Sequence, residues 1–295
     1  MISRRRFLAI AAFFSIVGSQ SLAQTSWTGH ALGADVEIKL NGPKSISKPL
    51  ISVLKTNLFE IENAFTLYNP TSELRTLSAQ KHITPSSMFF DLATQALDLH
   101  QKTNGLFEPS VQTLWAAHAK NQKPTSLVPF SKVYISHDRI TLDKDQSLTF
   151  NGIAQGYATD QIELLLQKHG FEHVLINLEE LSAIGGPWAV GLSDPDIGIF
   201  STTTLHDQSI ATSSPNAMRI IKDKGHILHP SDEESHFWST VSVKANSACI
   251  VDGLSTAFCL MPAHQIRTVI RRYFKDVEAV SLRPDGVLRR LSVTA

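Results

Sequence analysis

The sequence predicts an α+β fold, in which helices and strands are segregated along the chain rather than alternating. Segments with apolar residues at helical spacing are concentrated in the first half, and short apolar or alternating segments dominate the second half. Hydrophobic residues make up 42% of the 295 residues, which is ordinary for a globular protein. The chain is therefore long enough to bury a core in one large domain or in two closely packed subdomains.

The first residues have the pattern of a twin-arginine signal peptide. Three arginines at positions 4–6 precede an apolar segment at 8–17 and a small-x-small cleavage site at 21–23. We therefore expect residues 1–23 to be removed and residues 24–295 to act in a bacterial periplasm. The apolar segment is too short to span a bilayer comfortably, and no later apolar segment reaches about 18 residues. We expect no transmembrane segment in the mature chain.

The expected elements follow in order from local patterns. Partial alternation predicts an early strand at 27–40, and helical spacing predicts helices at 49–65 and 91–103, the second ended by Asn104-Gly105. A turn at 68–74 caps a short helix. Strands are then expected at 135–142 and 146–150, a helix at 157–169 before Gly170, and strands at 174–176, 188–191, 203–211 and 240–244. Helices at 254–260 and 265–273 and strands at 277–280 and 286–291 complete the chain.

The charge of the chain excludes some functions. Lysine plus arginine and aspartate plus glutamate both number 27, so the formal net charge is 0. The signal peptide holds three arginines and no acidic residue, so the mature chain is mildly acidic. Without a basic stripe, nucleic acid is not expected as a partner.

The segment ACIVDGLSTAFCL, at 248–260, is the most informative part of the sequence. It places one carboxylate, Asp252, inside an apolar run, where an ionised group needs compensation. Asp252 and Thr256 are four residues apart, so a helix would point both side chains the same way. An all-oxygen site of this kind suits Mg²⁺. The alternative is that Asp252 caps a helix that starts near Gly253.

Three further segments carry polar groups that bind ligands or satisfy turns. Residues 151–157 form a glycine-containing loop before a helix, where backbone N–H groups favour phosphate. Residues 210–214 form a hydroxyl cluster after a strand, which also suits ordinary turn hydrogen bonds. His226 lies in a turn, where it is either structural or an acid or base near neutral pH. Cys249 and Cys259 lie in apolar surroundings and are expected to be free, buried thiols.

Taken together, ordered segments over about 200 residues resemble the ApbE family of FAD:protein FMN transferases. The matching segments are FTLYNPTSELRTL, TNGLFEPSVQTLW, NGIAQGYATDQI, PWAVGLSDP, SIATSS, GHILHP and VDGLSTAFCLM. The resemblance implies an ApbE-like, T-fold-related α+β fold with mixed and antiparallel sheets and packed helices. It also implies transfer of FMN from FAD to a Thr or Ser hydroxyl of a partner flavoprotein, which is exported or membrane-bound.

The resemblance also implies roles for particular residues. Mg²⁺ would be bound by the Asp252 carboxylate, the Thr256 hydroxyl and the Ala154 main-chain carbonyl, and Asp252 and His226 would be catalytic. The residues implied to bind FAD are Tyr68, Gly152, Gly156, Asn177, Thr212, Ser213 and His226.

Several positions depart from the family pattern. Gln155 replaces a lysine, and Glu179 and Glu180 replace a pair of glycines, so the expected cofactor region becomes more negative. The other departures are Ser78 for asparagine, Ser214 for glycine and His229 for aspartate. Two alternatives to FMN transfer follow: a non-catalytic binding or assembly factor for a redox complex, and a periplasmic FAD pyrophosphatase.

Overall fold

A computed structural model describes residues 12–13, 24–41, 44–124, 126–221, 224–233 and 236–293. Apart from 12–13, the predicted signal peptide lies outside the described residues. The helices described are α1 (Lys44–Phe65), α2 (Glu73–Gln80), α3 (Ser87–Lys102), α4 (Gln112–Ala119), α5 (Ala154–Lys168), α6 (Ala248–Phe258) and α7 (Ala263–Tyr273). Short 3₁₀ helices cover Pro109–Val111 and Phe130–Lys132. No helix among these residues has the length and apolar character needed to cross a bilayer.

The strands confirm the predicted α+β class. They are β1 (Ala12–Phe13), β2 (Gln24–Ala31), β3 (Ala34–Asn41), β4 (His82–Ile83), β5 (Tyr134–Ile135), β6 (Ile140–Thr141), β7 (Val174–Leu178), β8 (Glu180–Ile184), β9 (Trp188–Asp194), β10 (Gly198–Leu205), β11 (Gln208–Ser213), β12 (Arg219–Ile221), β13 (Lys224–Gly225), β14 (Thr240–Ala245), β15 (Glu278–Leu282) and β16 (Leu288–Leu291).

A central sheet separates two apolar layers. Its spatial order is β16-β15-β14-β11-β8-β7-β3-β2, and all of its neighbouring strands are antiparallel. Ile176 and Val243 face the main core, which the helices share. Leu181 and Ala183 face a second cluster, where β9 contributes Trp188. All five residues of β8 are buried, because both faces of the sheet are covered at that strand.

Helix α6 starts earlier than the sequence suggested. Its N-cap is Ser247, whose side chain accepts from the backbone N–H of Ile250. Asp160 of α5 reinforces this end by accepting from the backbone N–H groups of Ala248 and Cys249 at 2.6 and 3.0 Å. Burial raises the pKa of Asp160, and its hydrogen bonds only partly oppose that shift. Asp252 therefore lies inside the helix, and the alternative that it caps the helix is wrong.

The helix ends follow the expected stop signals. Asn104 and Gly105, which follow α3, have φ angles of 53° and 81°, and Gly170 after α5 has φ of 75°. These left-handed conformations end a helix, because the following N–H groups turn back to its last carbonyls. Ser72 caps α2 by accepting from the backbone N–H of Arg75, as the expected turn at 68–74 required.

Several strand predictions were wrong in their bounds. The segment 27–40 is a hairpin, since Leu32 and Gly33 both have positive φ and reverse the chain between β2 and β3. The segment 203–211 is likewise divided at Asp207, whose φ is 49°. The segment 146–150 is not a strand, because Gln146 is tied to the loops around Ser110 and Pro129 instead of to a sheet. Strand β8 and helix α4 were not predicted.

The two cysteines are free and buried, as predicted. Cys249 lies in the first turn of α6, and Cys259 follows its last residue. Burial raises the pKa of both thiols, because the thiolate would lose its hydration.

Candidate functional site

A cleft of about 150 Å³ lies where α5, α6 and the end of β11 meet. Its walls are drawn from segments that are far apart in the sequence. Most of the predicted site residues line it, namely Tyr68, Gly152, Thr212, Ser213, His226, Asp252 and Thr256. The fold therefore brings the ordered sequence motifs to one place.

Asp252 and Thr256 form the floor of the cleft on α6. They are one helical turn apart and both line the cleft, as the four-residue spacing predicted. Asp252 is only 4% exposed, and its Oδ2 accepts a hydrogen bond of 3.0 Å from the backbone N–H of Gly156. The Oγ1 of Thr256 lies 3.4 Å from the hydroxyl of Ser213. A carboxylate and two hydroxyls thus line the same cleft.

The loop before α5 approaches α6 closely at two glycines. A Cβ atom on Gly152 would lie 3.1 Å from the Thr256 hydroxyl, so this glycine leaves room beside the proposed ligands. A Cβ atom on Gly156 would lie 2.3 Å from the carbonyl oxygen of Ala248 and 2.8 Å from the Cβ of Asp252. Gly156 is buried where the helices cross and does not appear among the lining residues. The absence of a side chain at Gly156 therefore permits the close contact between α5 and α6.

Two other predicted residues lie beside the cleft. Ala154, the first residue of α5, lines an adjacent cavity of about 420 Å³ that shares Leu67, Tyr68, Asn151 and Gln155 with the cleft. Asn177 lies on β7, and its side-chain oxygen accepts from the backbone N–H of Glu179 at 3.2 Å. Asn177 therefore supports the β7–β8 turn, and it is not among the residues that line the cleft.

The hydroxyl cluster at the end of β11 has two different functions in the structure. Thr212 pairs with Ser242 on β14 at 2.8 Å, so it joins two strands as well as lining the cleft. Ser213 instead lies 2.7 Å from the hydroxyl of Ser255 on α6. Ser214, buried at the end of this segment, bonds Thr240 at 2.6 Å. The cluster thus holds the sheet against α6 and presents Ser213 to the cleft.

His226 is held by the backbone of its turn. Its Nδ1 lies 3.2 Å from the carbonyl oxygen of Met218, and its backbone N–H donates to that same oxygen at 3.0 Å. A carbonyl only accepts, so Nδ1 carries the proton, and the other ring nitrogen, Nε2, is the acceptor in the neutral ring. The turn therefore holds the His226 ring in one orientation beside the cleft.

The segment that contains His226 is fixed to α4 by a charged cluster. Asp232 Oδ1 lies 2.7 Å from His118 Nε2 and 2.5 Å from Lys224 Nζ. Burial opposes ionisation of Asp232, but hydrogen bonds from Lys224 and His118 outweigh it and lower its pKa.

The departures from the family pattern at Ser78 and His229 lie outside the cleft, on α2 and in this turn.

The cleft is rich in carboxylates. Glu108, Glu179, Glu180 and Asp252 line it, whereas no lysine or arginine of the described chain does. Glu179 has a φ of 74°, the left-handed conformation that favours glycine. Its Oε2 accepts from the side-chain amide of Gln155 at 3.1 Å, so it faces the start of α5. Two negative side chains therefore occupy the β7–β8 turn at the edge of the cleft.

An apolar wall of the cleft was not predicted residue by residue. It comes mainly from the segment around α4 and its preceding 3₁₀ helix, with Leu106, Val111 and Trp115. Glu108 is also there; burial raises its pKa, while hydrogen bonds from the Ser110 and Phe130 backbone and the nearby His100 oppose the shift. These residues lie within the TNGLFEPSVQTLW segment, whose resemblance was the signal that could have found them.

The donor chemistry of the cleft fits a hard cation. Among the described residues there is no group of three or more His, Cys, Asp or Glu side chains that could hold a metal. The predicted Mg²⁺ ligands do not need such a group, because they combine a single carboxylate with a hydroxyl and a main-chain carbonyl. Asp252 and Thr256 are adjacent in the cleft, and oxygen donors of this kind suit Mg²⁺.

Comparisons with known proteins extend over most of the chain. The FAD:protein FMN transferase of Salmonella typhimurium is 20% identical over 312 aligned residues, covering 90% of this chain and 89% of the relative. The enzyme of the same name from Escherichia coli K12 is 21% identical, covering 77% and 75% of the two chains.

Solved structures show the same fold. The ApbE protein of Thermotoga maritima matches with a TM-score of 0.81 and 20% identity, over 92% of this chain and 97% of that protein. The flavin transferase ApbE of Vibrio cholerae matches with a TM-score of 0.77 and 20% identity, over the same shares. The ApbE family model itself matches residues 32–281. Because that match spans most of the chain, this protein belongs to the ApbE family.

Proposed function

We propose that this protein transfers FMN from FAD to a Thr or Ser hydroxyl of a flavoprotein, in a reaction that depends on Mg²⁺. One observation carries the proposal: Asp252 and Thr256 on α6 and His226 from a distant turn line a single cleft. The names of the relatives, FAD:protein FMN transferase and flavin transferase, support the same reaction. The product is a flavoprotein modified covalently after translation.

In the proposed reaction, the acceptor hydroxyl attacks the phosphorus of the FMN moiety. A phosphoester bond forms, the pyrophosphate bond breaks, and AMP leaves with the displaced oxygen. Asp252, Thr256 and the Ala154 carbonyl would hold Mg²⁺, which neutralises charge on the phosphates. His226 would accept the hydroxyl proton at Nε2, because its Nδ1–H already donates to Met218. Asp252 is the second candidate base, although a carboxylate bound to a metal is a weak one.

The remaining residues of the cleft would position FAD. Tyr68, which is 69% exposed at the rim, offers a ring on which a flavin or adenine could stack. The N–H of Gly156 at the start of α5 already donates to Asp252, so this helix end would favour a phosphate chiefly through its dipole. Gly152 lets this loop come close to Thr256. Ser213 and Thr212 supply further hydroxyls to the lining.

The test combines the purified protein with FAD, Mg²⁺ and candidate acceptor domains that carry a Thr or Ser. We expect covalent flavin on the acceptor, detected by in-gel fluorescence and by mass. Asp252→Ala should abolish it, while Asp145→Ala, in an exposed turn, should not. Free FMN and AMP without labelled acceptor would instead support an FAD pyrophosphatase. The proposal fails if the wild type forms neither product, or if Asp252→Ala is as active as the wild type.

A non-catalytic role as a binding or assembly factor for a redox complex is the second candidate. The excess of carboxylates in the cleft favours it, since like charges oppose a bound diphosphate. It predicts that the protein binds a redox partner but neither labels an acceptor nor consumes FAD. Co-purification of the partner with Asp252→Ala at wild-type yield, together with no flavin product, would support this role.

We also propose that residues 1–23 direct export, so that the protein acts on an exported or membrane-bound acceptor. Cell fractionation tests this proposal. The wild type is expected in the periplasm, and replacement of Arg4 and Arg5 by lysine should retain it in the cytoplasm. Equal export of both forms would contradict a twin-arginine signal.

A further inference from the structure

We propose that Glu179 makes FAD binding strongly dependent on the divalent cation, so that the cleft rejects the free dinucleotide and accepts it together with Mg²⁺. This inference rests on the proposed function and concerns the order in which the ligands enter. Its starting point is the charge of the cleft, whose described lining has four carboxylates and neither lysine nor arginine. The diphosphate of FAD is negative, and the described lining offers it no lysine or arginine.

The position of Glu179 follows from its hydrogen bond. Its Oε2 accepts from Nε2 of Gln155 at 3.1 Å, and Gln155 is the second residue of α5. The next residue, Gly156, donates its backbone N–H to Asp252 Oδ2 at 3.0 Å. At the start of α5, therefore, Gln155 donates to one carboxylate through its side chain, and Gly156 donates to another through its backbone N–H. This is the end of the helix that would otherwise attract phosphate.

The backbone holds Glu179 in this place. The residue has a φ of 74°, and Asn177 accepts its backbone N–H at 3.2 Å, so the tight turn between β7 and β8 directs it. Glu180, its neighbour, is 6% exposed and also lines the cleft. Fixed charges at the edge of a low-dielectric cleft are screened weakly by salt. Before any cation binds, Glu179 and Glu180 would therefore repel the diphosphate of FAD.

A divalent cation reverses this balance. If Asp252 and Thr256 held Mg²⁺, the ion would offset the charge of the diphosphate, and the Glu179 carboxylate would repel it less. Binding of FAD and binding of Mg²⁺ then promote each other, and by linkage the two coupling factors are equal. Glu179 increases this coupling because it weakens binding of the free dinucleotide more than binding of the magnesium complex.

The experiment measures the dissociation constant for FAD by fluorescence, once in EDTA and once in saturating Mg²⁺. Glu179→Gln keeps the side-chain size and removes the charge, and Glu179→Gly suits the left-handed backbone. Both variants should bind FAD about tenfold more tightly than the wild type in EDTA, which corresponds to about 1.4 kcal/mol. In Mg²⁺ the change should be less than about threefold. Glu60→Gln, an exposed change on α1, is the matched control and should leave both values unaltered.

The possible outcomes separate this inference from the proposed function. If the ratio of the two dissociation constants is the same in the wild type and both Glu179 variants, Glu179 does not control the coupling and the inference fails. It also fails alone if the wild type transfers FMN in Mg²⁺ but binds FAD equally well in EDTA. If the wild type binds no FAD even in saturating Mg²⁺, both the inference and the proposed function fail.

Discussion

Replacing Gly156 by alanine should destabilise the protein, because α5 and α6 are in contact at this residue. The new Cβ would lie 2.3 Å from the carbonyl oxygen of Ala248 and 2.8 Å from the Cβ of Asp252. Unstrained carbon contacts begin near about 3.5 Å, so the helices would have to separate by roughly 1 Å. The nearest obstacle is backbone, which cannot rotate away as a flexible side chain would.

The magnitude follows from two opposing effects. Overpacking of a close contact costs about 3 kcal/mol when the obstacle is rigid. Alanine recovers about 1 kcal/mol through its better helix propensity. The net loss of about 2 kcal/mol in the free energy of unfolding corresponds to a Tm lower by about 3–4 °C for a chain of this size.

Urea unfolding and differential scanning calorimetry of Gly156→Ala test this value. Lys168→Ala, an exposed change on the same helix, is the control and should alter stability by less than about 0.5 kcal/mol. Asp252 accepts the Gly156 N–H, so the variant should also bind FAD less tightly in Mg²⁺. A Tm within about 2 °C of the wild type, with unchanged FAD binding, would refute the view that helix contact requires this glycine.

Three further results are expected. Burial raises the pKa of Asp160 above 3.8. The wild type should therefore lose stability relative to Asp160→Asn as the pH rises from about 4 through that pKa, as measured by urea unfolding. A difference in stability that grows in favour of the wild type would contradict this sign. Cys249 and Cys259 should resist Ellman's reagent at pH 8 until the protein is unfolded, because burial raises both thiol pKa values; labelling of the native protein would disprove it. Tyr68→Ala should raise the KM for FAD about tenfold through lost stacking, whereas Tyr68→Trp should not; equal KM values would argue against stacking.

Local sequence determined much of the fold and the central pair of the site. The period of apolar residues identified α1, α3, α5 and α7, and the stop signals at Asn104-Gly105 and Gly170 marked two of their ends. The four-residue spacing of Asp252 and Thr256 placed both on one face of a helix, even though the helix starts earlier than expected. These features depend on residues within a few positions of each other, so short windows of sequence contain them.

Tertiary structure decided the rest. Gly156 looks like a cofactor-loop glycine in the sequence, but its role is set by Ala248, 92 positions later. Glu179 faces Gln155 because β7 and β8 place their turn beside α5. The sequence determined which chemical groups this protein carries and which of them share a helix face. Only the packing of distant segments determined which groups meet, because close approach and burial arise between residues that no local period relates.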